Sequence, residues 1–343
     1  MPLELPASIP ATLIPGDGIG PEVVEAVVEI LDALGSPFVW DRQEGGMTAL
    51  AVSGDPLPGE TLSSIRHTGL ALKGPLTTPI GGGFRSVNVQ LRQELDLYAN
   101  IRPTRTLLLD GSFTDIDIVV VRENLEGMYV AHEYFVPVGR DPHAIAIASG
   151  INTREGARRI ATYAFEYALR KGRKKVTVVH KANVLKALSG IFLEETREVG
   201  KLYAGRIALD DRIVDACAMQ LALDPWQFDV IVTTNLFGDI LSGFTAGLVG
   251  GLGMAPGSNV GDNAAIFEAV HGAAPDIAGK GIANPTSLLL AAGLMLEHVG
   301  MDKLRQRIER AVDIVLNVDK VRTVDLGGAA STRDYTRALI HQL

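Results

Sequence analysis

The segment IPATLIPGDGIGPEVVEAVVEILDALG, residues 9–35, decides the fold class. It opens with a short apolar run, residues 9–14, that ends at a Pro-Gly pair, which is typical of a buried strand. Apolar residues then recur at helical spacing between residues 23 and 34, after a proline in the first turn, and Gly35 follows where a helix C-cap belongs. The segment therefore predicts a strand, a tight turn and an amphipathic helix.

The same alternation of strand and helix recurs through the rest of the chain. Further strands are predicted at residues 116–121, 176–179 and 230–232, and helices at 153–171, 184–199, 213–223, 239–249 and 288–296. Because these strands are nearly all apolar, they favour a largely parallel sheet covered by helices on both faces. Residues 131–149 fit neither period and are interpreted as a protruding arm that grips a second subunit, or as a plain surface loop.

The turn PGDGIG, residues 15–20, is similar to a dinucleotide-binding fingerprint but lacks its spacing. Its glycines follow G-x-G-x-G and not G-x-G-x-x-G, and no acidic residue follows at the usual distance after a second strand. We therefore interpret this motif as a tight strand-to-helix turn.

Composition excludes several classes of protein. The net charge of −8 and the lack of a long Lys/Arg run argue against nucleic-acid binding. The longest apolar run, residues 288–296, is too short to span a bilayer. The chain has a single cysteine, Cys217, and its first segment lacks the features of a signal peptide. We therefore expect a cytoplasmic protein without membrane or nucleic-acid partners.

Three of the apolar strands lead directly into polar residues. The strand at 116–121 runs into Arg122, the strand at 176–179 into Lys181, and the strand at 230–232 into Asn235 and Asp239. Ligands of open α/β sheets bind beyond the carboxyl ends of the strands. We therefore expect these side chains to share one site.

Three arginines and two small polar residues suit an anionic substrate. Arg92, Arg102 and Arg122 lie at turns or strand ends. Ser86 and Asn88 precede Arg92, and Asn88 and Arg92 are one helical turn apart and so share a face. Each guanidinium can hold a carboxylate through two parallel charge-assisted hydrogen bonds. The alternative is that these arginines pair with acidic residues on the surface.

Other candidate residues also have a structural alternative. Asp215, with Asp211 one helical turn earlier, and Asp239 have the oxygen ligands that a divalent cation prefers, but an acidic helix residue is more often solvated or salt-bridged. Lys181 is a candidate general base at an apolar strand end, or an ordinary anion contact. His271, in a second glycine-rich segment, suits an adenosine, but also a structural role.

Taken together, these segments resemble the isocitrate/isopropylmalate dehydrogenase family, the β-decarboxylating dehydrogenases. The resemblance runs from IPGDGIGPE near the start to TVDLGG near the end. It rests on PLTTPIGGGFRSVNVQLRQELDLYANIRP, VRENLEGMY, VHKANVLK, NLFGDI and EAVHGAAPDIAGKGIANP. In combination these segments are highly specific.

The resemblance implies an α/β fold of two domains on one large mixed, mostly parallel sheet flanked by helices, distinct from the Rossmann fold. Residues 1–97 with 250–343 are expected to form a large cofactor-binding domain. Residues 98–249 are expected to form a small domain for dimerisation and for metal and substrate binding, with the arm at about 131–149. The implied assembly is a homodimer with shared active sites.

The resemblance also implies roles for individual residues. The substrate carboxylates are assigned to Ser86, Asn88, Arg92, Arg102 and Arg122. Proton transfer is assigned to Tyr129 and, from the other subunit, Lys181. A Mg²⁺ or Mn²⁺ ion is assigned to Asp239 and, from the other subunit, Asp215. NAD is assigned to Thr77, His271, Gly272, Ala274, Pro275, Asp276, Ile277 and Asn284.

The implied reaction is the metal-dependent, NAD-linked oxidative decarboxylation of a small tricarboxylate. Ser86 and Asn88 resemble the isocitrate version of the family, whereas isopropylmalate enzymes have apolar residues there. Homoisocitrate, one methylene longer, is a close competitor. Gly243 stands where the family has a second aspartate. This difference leaves an alternative hypothesis, that the chain is a non-catalytic regulatory subunit of a hetero-oligomeric enzyme.

Overall fold

The computed structural model describes residues 8–79 and 83–343. Residues 1–7, on which the expectation about a signal peptide rests, and residues 80–82, inside PLTTPIGGG, lie outside that part. The strands are β1 Ile9–Ile14, β2 Phe38–Arg42, β3 Leu70–Lys73, β4 Ala99–Arg105, β5 Asp117–Glu123, β6 Gly127–Val138, β7 Asp141–Ile151, β8 Lys175–His180, β9 Ala208–Ile213, β10 Val230–Thr233, β11 Pro256–Val260 and β12 Ala265–Ala269. The α-helices are α1 Gly20–Leu34, α2 Met47–Ser53, α3 Gly59–Thr68, α4 Val87–Glu94, α5 Arg154–Arg170, α6 Leu188–Lys201, α7 Val214–Leu223, α8 Asn235–Leu248, α9 Thr286–His298, α10 Asp302–Asp313 and α11 Thr332–Gln342.

The chain divides into two compact units. Unit 1 comprises residues 1–97, 105–114 and 246–343, and unit 2 comprises residues 98–104 and 115–245. Unit 1 has the strand order β2-β1-β3-β12-β11, in which β11 and β12 are antiparallel and the other pairs are parallel. Unit 2 has the order β4-β5-β10-β8-β9, with parallel pairs from β5 to β9. The predicted α/β class, with a mixed and mostly parallel sheet flanked by helices, is confirmed.

The opening segment folds as its pattern predicts. Strand β1 covers the predicted residues, and α1 has a proline in its first turn and ends at Gly35, whose φ of 76° is left-handed. Such a φ favours glycine because other residues place a Cβ against the backbone there. The apolar face of α1 is fully buried in the core of unit 1, where each such side chain contributes about 1.5–3 kcal/mol.

Strands β5, β8 and β10 form the centre of unit 2. Their apolar side chains are buried on both faces of the sheet. Helix α5 packs against these strands, and the side chain of Thr153 caps it by accepting a hydrogen bond from the N–H of Gly156. Helix α9 in unit 1 is apolar on all sides and buried, as predicted for residues 288–296. Within the described residues, no helix is long and apolar enough to cross a membrane.

Three predictions on the helices of unit 2 are wrong in detail. Helix α6 begins at Leu188 and not at Val184, because the N–H groups at 184 and 185 close a turn on the carbonyl of residue 181. Helix α8 begins at Asn235, four residues earlier than predicted. Asp211 lies in strand β9, while Asp215 lies in the first turn of α7, so the two do not share a helix face.

Residues 131–149 belong to an antiparallel hairpin of β6 and β7. Most of its described side chains are exposed, including Tyr134, Phe135 and Ile145. Because neither face of the hairpin is buried within the chain, its sequence has no clear alternation of apolar and polar residues. This explains why the sequence pattern did not identify the strands.

Candidate active site

Asp239 is the centre of a polar cluster in unit 2. It lies in the second turn of α8, just beyond the carboxyl end of β10. One carboxylate oxygen accepts from Arg122 at 2.5 Å and from Arg102 at 3.0 Å, and the other accepts from the hydroxyl of Tyr129 at 2.7 Å. The structure therefore brings four of the predicted site residues of unit 2 into contact.

Both arginines of this cluster are buried and held by further polar groups. Arg122 donates twice to the side-chain oxygen of Asn235, at 2.7 and 3.0 Å. Arg102 donates to Asn100 at 2.8 Å and to Ser242 at 2.7 Å. Two guanidinium groups face one carboxylate, so this cluster carries an excess positive charge that suits an anion.

The site roles of Asn100, Asn235, Ser242 and Gly238 were missed in the sequence. A Cβ at Gly238 would lie 2.5 Å from a side-chain carbon of Arg122, so α8 needs glycine there to approach the arginine. Ser242 gave no signal, since its partner Arg102 lies 140 residues away in sequence, and no pattern distinguished Asn100, two residues before Arg102. Only for Asn235 was a place near the site expected, because it follows β10.

Glu123 is a buried acid that follows Arg122 directly. Its carboxylate accepts from the N–H groups of Leu125 and Glu126, at 2.9 and 2.8 Å. Burial raises the pKa of Glu123 to about 7, although these N–H groups oppose the shift. Glu123 thus fixes the turn that leads from Arg122 to Tyr129.

Lys181 and Asp215 form an ion pair elsewhere in unit 2. Lys181 follows strand β8 and Asp215 lies in the first turn of α7, and the ammonium contacts the carboxylate directly. The hydrogen bond from Lys181 lowers the pKa of Asp215. The side chains are 27% and 68% exposed, so both remain accessible to a ligand or to a second chain.

Arg92, the remaining predicted arginine, lies in α4 of unit 1 and contacts a buried acid. Glu268 accepts from Arg92 at 3.3 Å, from Lys73 at 2.8 Å and from Asn259 at 2.7 Å. Burial would raise the pKa of Glu268, but Lys73 and Arg92 outweigh it and hold the pKa well below its ordinary value. Glu268 and Lys73 were not identified as site residues from the sequence.

Ser86 and Asn88 lie at the start of the same helix as Arg92. The hydroxyl of Ser86 accepts from Thr78 at 3.2 Å. The side-chain oxygen of Asn88 is buried, and among residues 8–79 and 83–343 it has no hydrogen-bond partner. An unpaired buried amide oxygen is unfavourable by about 1–3 kcal/mol, which is typical of a site that awaits a polar ligand.

A cavity of about 550 Å³ in unit 1 collects several of the predicted cofactor residues. His271, Gly272, Ala274, Ile277 and Asn284 line it. Asp325, whose carboxylate accepts from Asn284 at 2.9 Å, also lines it and was missed, although it lies in the TVDLGG segment. Pro275 and Asp276 are exposed and do not line the cavity. The backbone N–H of Thr77 donates to the carboxylate of Asp17 at 2.8 Å, which fixes the position of Thr77.

The electrostatics of His271 fit an uncharged ligand group. Its Nδ1 lies 3.0 Å from the carbonyl of Gly272, which can only accept, so Nδ1 carries the hydrogen. Burial lowers the pKa of His271, which keeps the ring neutral. Its Nε2 is then a buried acceptor that has no partner in the described part of the chain. A mostly apolar cavity with such a group suits the adenosine half of a dinucleotide.

Comparison with known proteins gives consistent results. The model of the family described as isocitrate/isopropylmalate dehydrogenase matches residues 11–339. The chain is 43% identical to the mitochondrial NAD isocitrate dehydrogenase catalytic subunit 5 of Arabidopsis thaliana, over 98% of this chain and 88% of that protein. It is 48% identical to a 3-isopropylmalate dehydrogenase of Archaeoglobus fulgidus, over 94% and 96%. A solved isocitrate dehydrogenase from Methylococcus capsulatus shares 52% identity and a TM-score of 0.95, over 97% and 99%.

Proposed function

Because the chain belongs to the isocitrate/isopropylmalate dehydrogenase family, we propose that it oxidises and decarboxylates isocitrate to 2-oxoglutarate and CO₂ while it reduces NAD. The resemblance inferred from the sequence motifs is confirmed, and with it a dehydrogenase activity. The choice of isocitrate rests mainly on one observation, the polar start of α4. There the hydroxyl of Ser86 and the side-chain amide NH₂ of Asn88 are hydrogen-bond donors at the start of the helix that carries Arg92.

The polar start of α4 disfavours 3-isopropylmalate. An isopropyl group against Ser86 and Asn88 would leave their polar atoms unpaired, at a cost of roughly 1–3 kcal/mol each. A carboxylate at the same place accepts hydrogen bonds from the hydroxyl of Ser86 and the amide NH₂ of Asn88, and it meets the charge of Arg92. The 48% identity to an isopropylmalate enzyme shows that overall similarity does not decide the substrate.

We assign the other two carboxylates of isocitrate to Arg102 and Arg122. Both guanidinium groups are already fixed by Asn100, Ser242 and Asn235, so substrate binding orders little further side-chain freedom. Fixed cations favour binding and orientation of a substrate that carries several carboxylates. They also explain the excess positive charge around Asp239.

Proton transfer is assigned to Tyr129 and Lys181. Lys181, in its neutral amine form, accepts the proton of the substrate hydroxyl, and Tyr129 returns a proton to the carbon that loses CO₂. The hydroxyl of Tyr129 is held 2.7 Å from Asp239, and the guanidinium of Arg122 lies 5.2 Å from the centre of its ring. This arrangement supports a fixed position of the proton donor next to the substrate carboxylates.

The chemistry of the available groups fits NAD and a divalent cation. When bound, NAD would supply the hydride acceptor, and Mg²⁺ or Mn²⁺ would supply Lewis-acid stabilisation of negative charge on the substrate oxygens. We assign NAD to the cavity at His271 and Asn284, and the cation to Asp239 and Asp215. Two carboxylates leave further coordination positions of such a cation open, and we assign these to substrate oxygens and water.

We propose a homodimer in which Lys181 and Asp215 serve the site of the neighbouring subunit. Unit 2 exposes large apolar side chains on the β6–β7 hairpin, α7 and α8, including Phe135, Ile147, Leu223 and Ile240. Exposed apolar side chains of this size are typical of protein interfaces. The cytoplasmic location expected from the sequence stays a prediction.

The proposal is tested by comparing isocitrate, homoisocitrate and 3-isopropylmalate as substrates, each with NAD and NADP and with Mn²⁺. We expect the highest kcat/KM for isocitrate with NAD, because the polar groups at α4 match its third carboxylate. A higher kcat/KM for 3-isopropylmalate would refute the choice of substrate. No activity of the purified chain alone would support the regulatory subunit instead.

Replacing Ser86 tests the observation on which the choice rests. Ser86→Leu removes a hydroxyl donor and should lower kcat/KM for isocitrate by about 10–100-fold, with a much smaller effect on malate. Ser63→Leu, at an exposed position of the same unit, is the matched control and should leave both rates unchanged. An equal loss with both substrates would show that Ser86 does not contact the third carboxylate.

A further inference from the structure

The glycine turn, residues 15–20, and the first turn of α1 contact two walls of the cofactor cavity. A Cβ at Gly18 would lie 2.0 Å from the carbonyl oxygen of Ala273, so the turn needs glycine there to pack against the segment after His271. The N–H of Ile19 donates to the same carbonyl at 2.9 Å, and the side chain of Ile19 lines the cavity. The motif that lacks the dinucleotide spacing is therefore a structural part of the cofactor site.

Glu22, in the first turn of α1, holds the opposite wall. Its carboxylate accepts from the N–H of Gly281 at 3.3 Å and from the N–H of Ala283 at 3.0 Å. The hydroxyl of Thr332, in the first turn of α11, also lies within hydrogen-bond distance of this carboxylate and 2.7 Å from the carbonyl of Ala283. The segment 281–283 is thus fixed between α1 and α11.

This segment places residues that face the ligand. Ile282, Ala283 and Asn284 all line the cavity. Asn284 is aligned further by the N–H of Thr286, which donates to its side-chain oxygen at 2.9 Å. The carboxylate of Glu22 fixes the N–H groups of residues 281 and 283. Ile282, which lies between them, and Asn284, which follows them, therefore have little freedom to leave the cavity wall.

We propose that Glu22 is a positioning residue for the cofactor, which fixes segment 281–284 as one wall of the adenosine site. This inference rests on the assignment of NAD to the cavity. An acidic residue in the first turn of a helix ordinarily stabilises that helix through its dipole. A role limited to the helix would change stability and leave nucleotide affinity unchanged, so the two roles are distinguishable.

The test is a fluorescence titration of NADH and NADPH against the purified full chain and its Glu22→Gln variant. Loss of charge-assisted hydrogen bonds to two N–H groups should raise the Kd of the nucleotide about tenfold. KM for NAD should rise in parallel, while KM for isocitrate stays within about twofold. Glu25→Gln, one turn away on the same helix and paired with Arg42 at the surface, is the matched control.

Thr332 keeps the proposal testable if the Glu22 variant is unstable. Thr332→Val removes the hydroxyl that links Glu22 to Ala283 and should also raise the Kd, whereas Thr332→Ser keeps that hydroxyl and should restore binding. Unchanged Kd values in folded Glu22→Gln and Thr332→Val chains would overturn this inference and leave the proposed function intact. A wild-type chain that binds neither nucleotide would overturn both.

Discussion

Glu268 in unit 1 and Asp239 in unit 2 are both carboxylates between two cations, but their exposure differs. The side chain of Glu268 is 8% exposed and its partners Lys73 and Arg92 are buried with it. The side chain of Asp239 is 40% exposed, although Arg102 and Arg122 beside it are buried. The first acid is enclosed by the protein, whereas one side of the second faces solvent.

This difference shows how one charge arrangement can serve two purposes. A buried carboxylate that compensates two cations is difficult to displace, because any movement leaves charges unpaired in a medium of low polarity. A half-exposed carboxylate can exchange partners with an incoming anion or cation at little cost. Glu268 is therefore suited to fix Arg92, and Asp239 to take part in ligand binding.

The largest expected effect comes from neutralising the two acids separately. Glu268→Gln should lower the free energy of unfolding by about 3–5 kcal/mol, because Lys73 and Arg92 lose their counter-charge inside the protein. Asp239→Asn should lower it by about 1 kcal/mol, since Arg122 keeps Asn235 and the amide oxygen still accepts. Urea denaturation of both variants measures the difference.

The effect of Glu268 should depend on pH. Since the pKa of Glu268 is lowered in the folded protein, its contribution is present above the pKa of the unfolded chain and is lost as the pH falls. The stability difference between wild type and Glu268→Gln should therefore shrink in acid. Equal destabilisation by the two substitutions at neutral pH would contradict the contrast between an enclosed and an exchangeable acid.

Mixing subunits tests whether the exposed region of unit 2 is completed by a second chain. Lys181→Ala and Tyr129→Phe chains should each be nearly inactive as homodimers. In a mixed dimer with two-fold symmetry, one of the two shared sites regains both groups, so random exchange should restore about a quarter of the wild-type activity. The measurement is the rate after subunit exchange confirmed by mass spectrometry, and no recovery would exclude shared sites.

Cofactor preference should change through unit 1 alone. In the double variant Asp276→Lys/Ile277→Tyr, a cation replaces a carboxylate that repels the 2′-phosphate of NADP. The ratio of kcat/KM with NADP to kcat/KM with NAD should therefore rise by about tenfold or more. KM for isocitrate should stay within about twofold, because Asp276 is exposed and no substrate residue is changed. Efficient use of NADP by the unmodified enzyme would show that Asp276 does not select the cofactor.

The smallest effect is expected at Gly243, one helical turn after Asp239. A Cβ there meets nothing within 4 Å among the described residues, so an aspartate fits without strain. Gly243→Asp adds negative charge beside Asp239 and should lower the Mn²⁺ concentration for half-maximal rate by a few-fold. Gly247→Asp, equally unhindered on the same helix, is the control. An unchanged Mn²⁺ titration with the fold intact would show that water replaces the missing carboxylate at little cost.

Local patterns in the sequence determined much of the fold. The strand, turn and helix of residues 9–35 and the buried strands of unit 2 follow from the spacing of apolar residues and from Pro and Gly at the ends of elements. Motifs likewise predicted which residues belong to the site, and the contacts among Arg102, Arg122, Tyr129 and Asp239 agree with that set. Such signals are local, because each depends on neighbours within one or two turns of the chain.

The tertiary structure alone decided which charged side chains are buried inside the protein and which are exposed to a ligand. Glu268 is paired with residues 176 and 195 positions away in sequence, and Glu22 holds a segment almost 260 residues later. The hairpin of β6 and β7 also escaped the sequence pattern, because neither of its faces is buried within the chain. Burial and long-range pairing depend on how the whole chain packs, and no local periodicity records them.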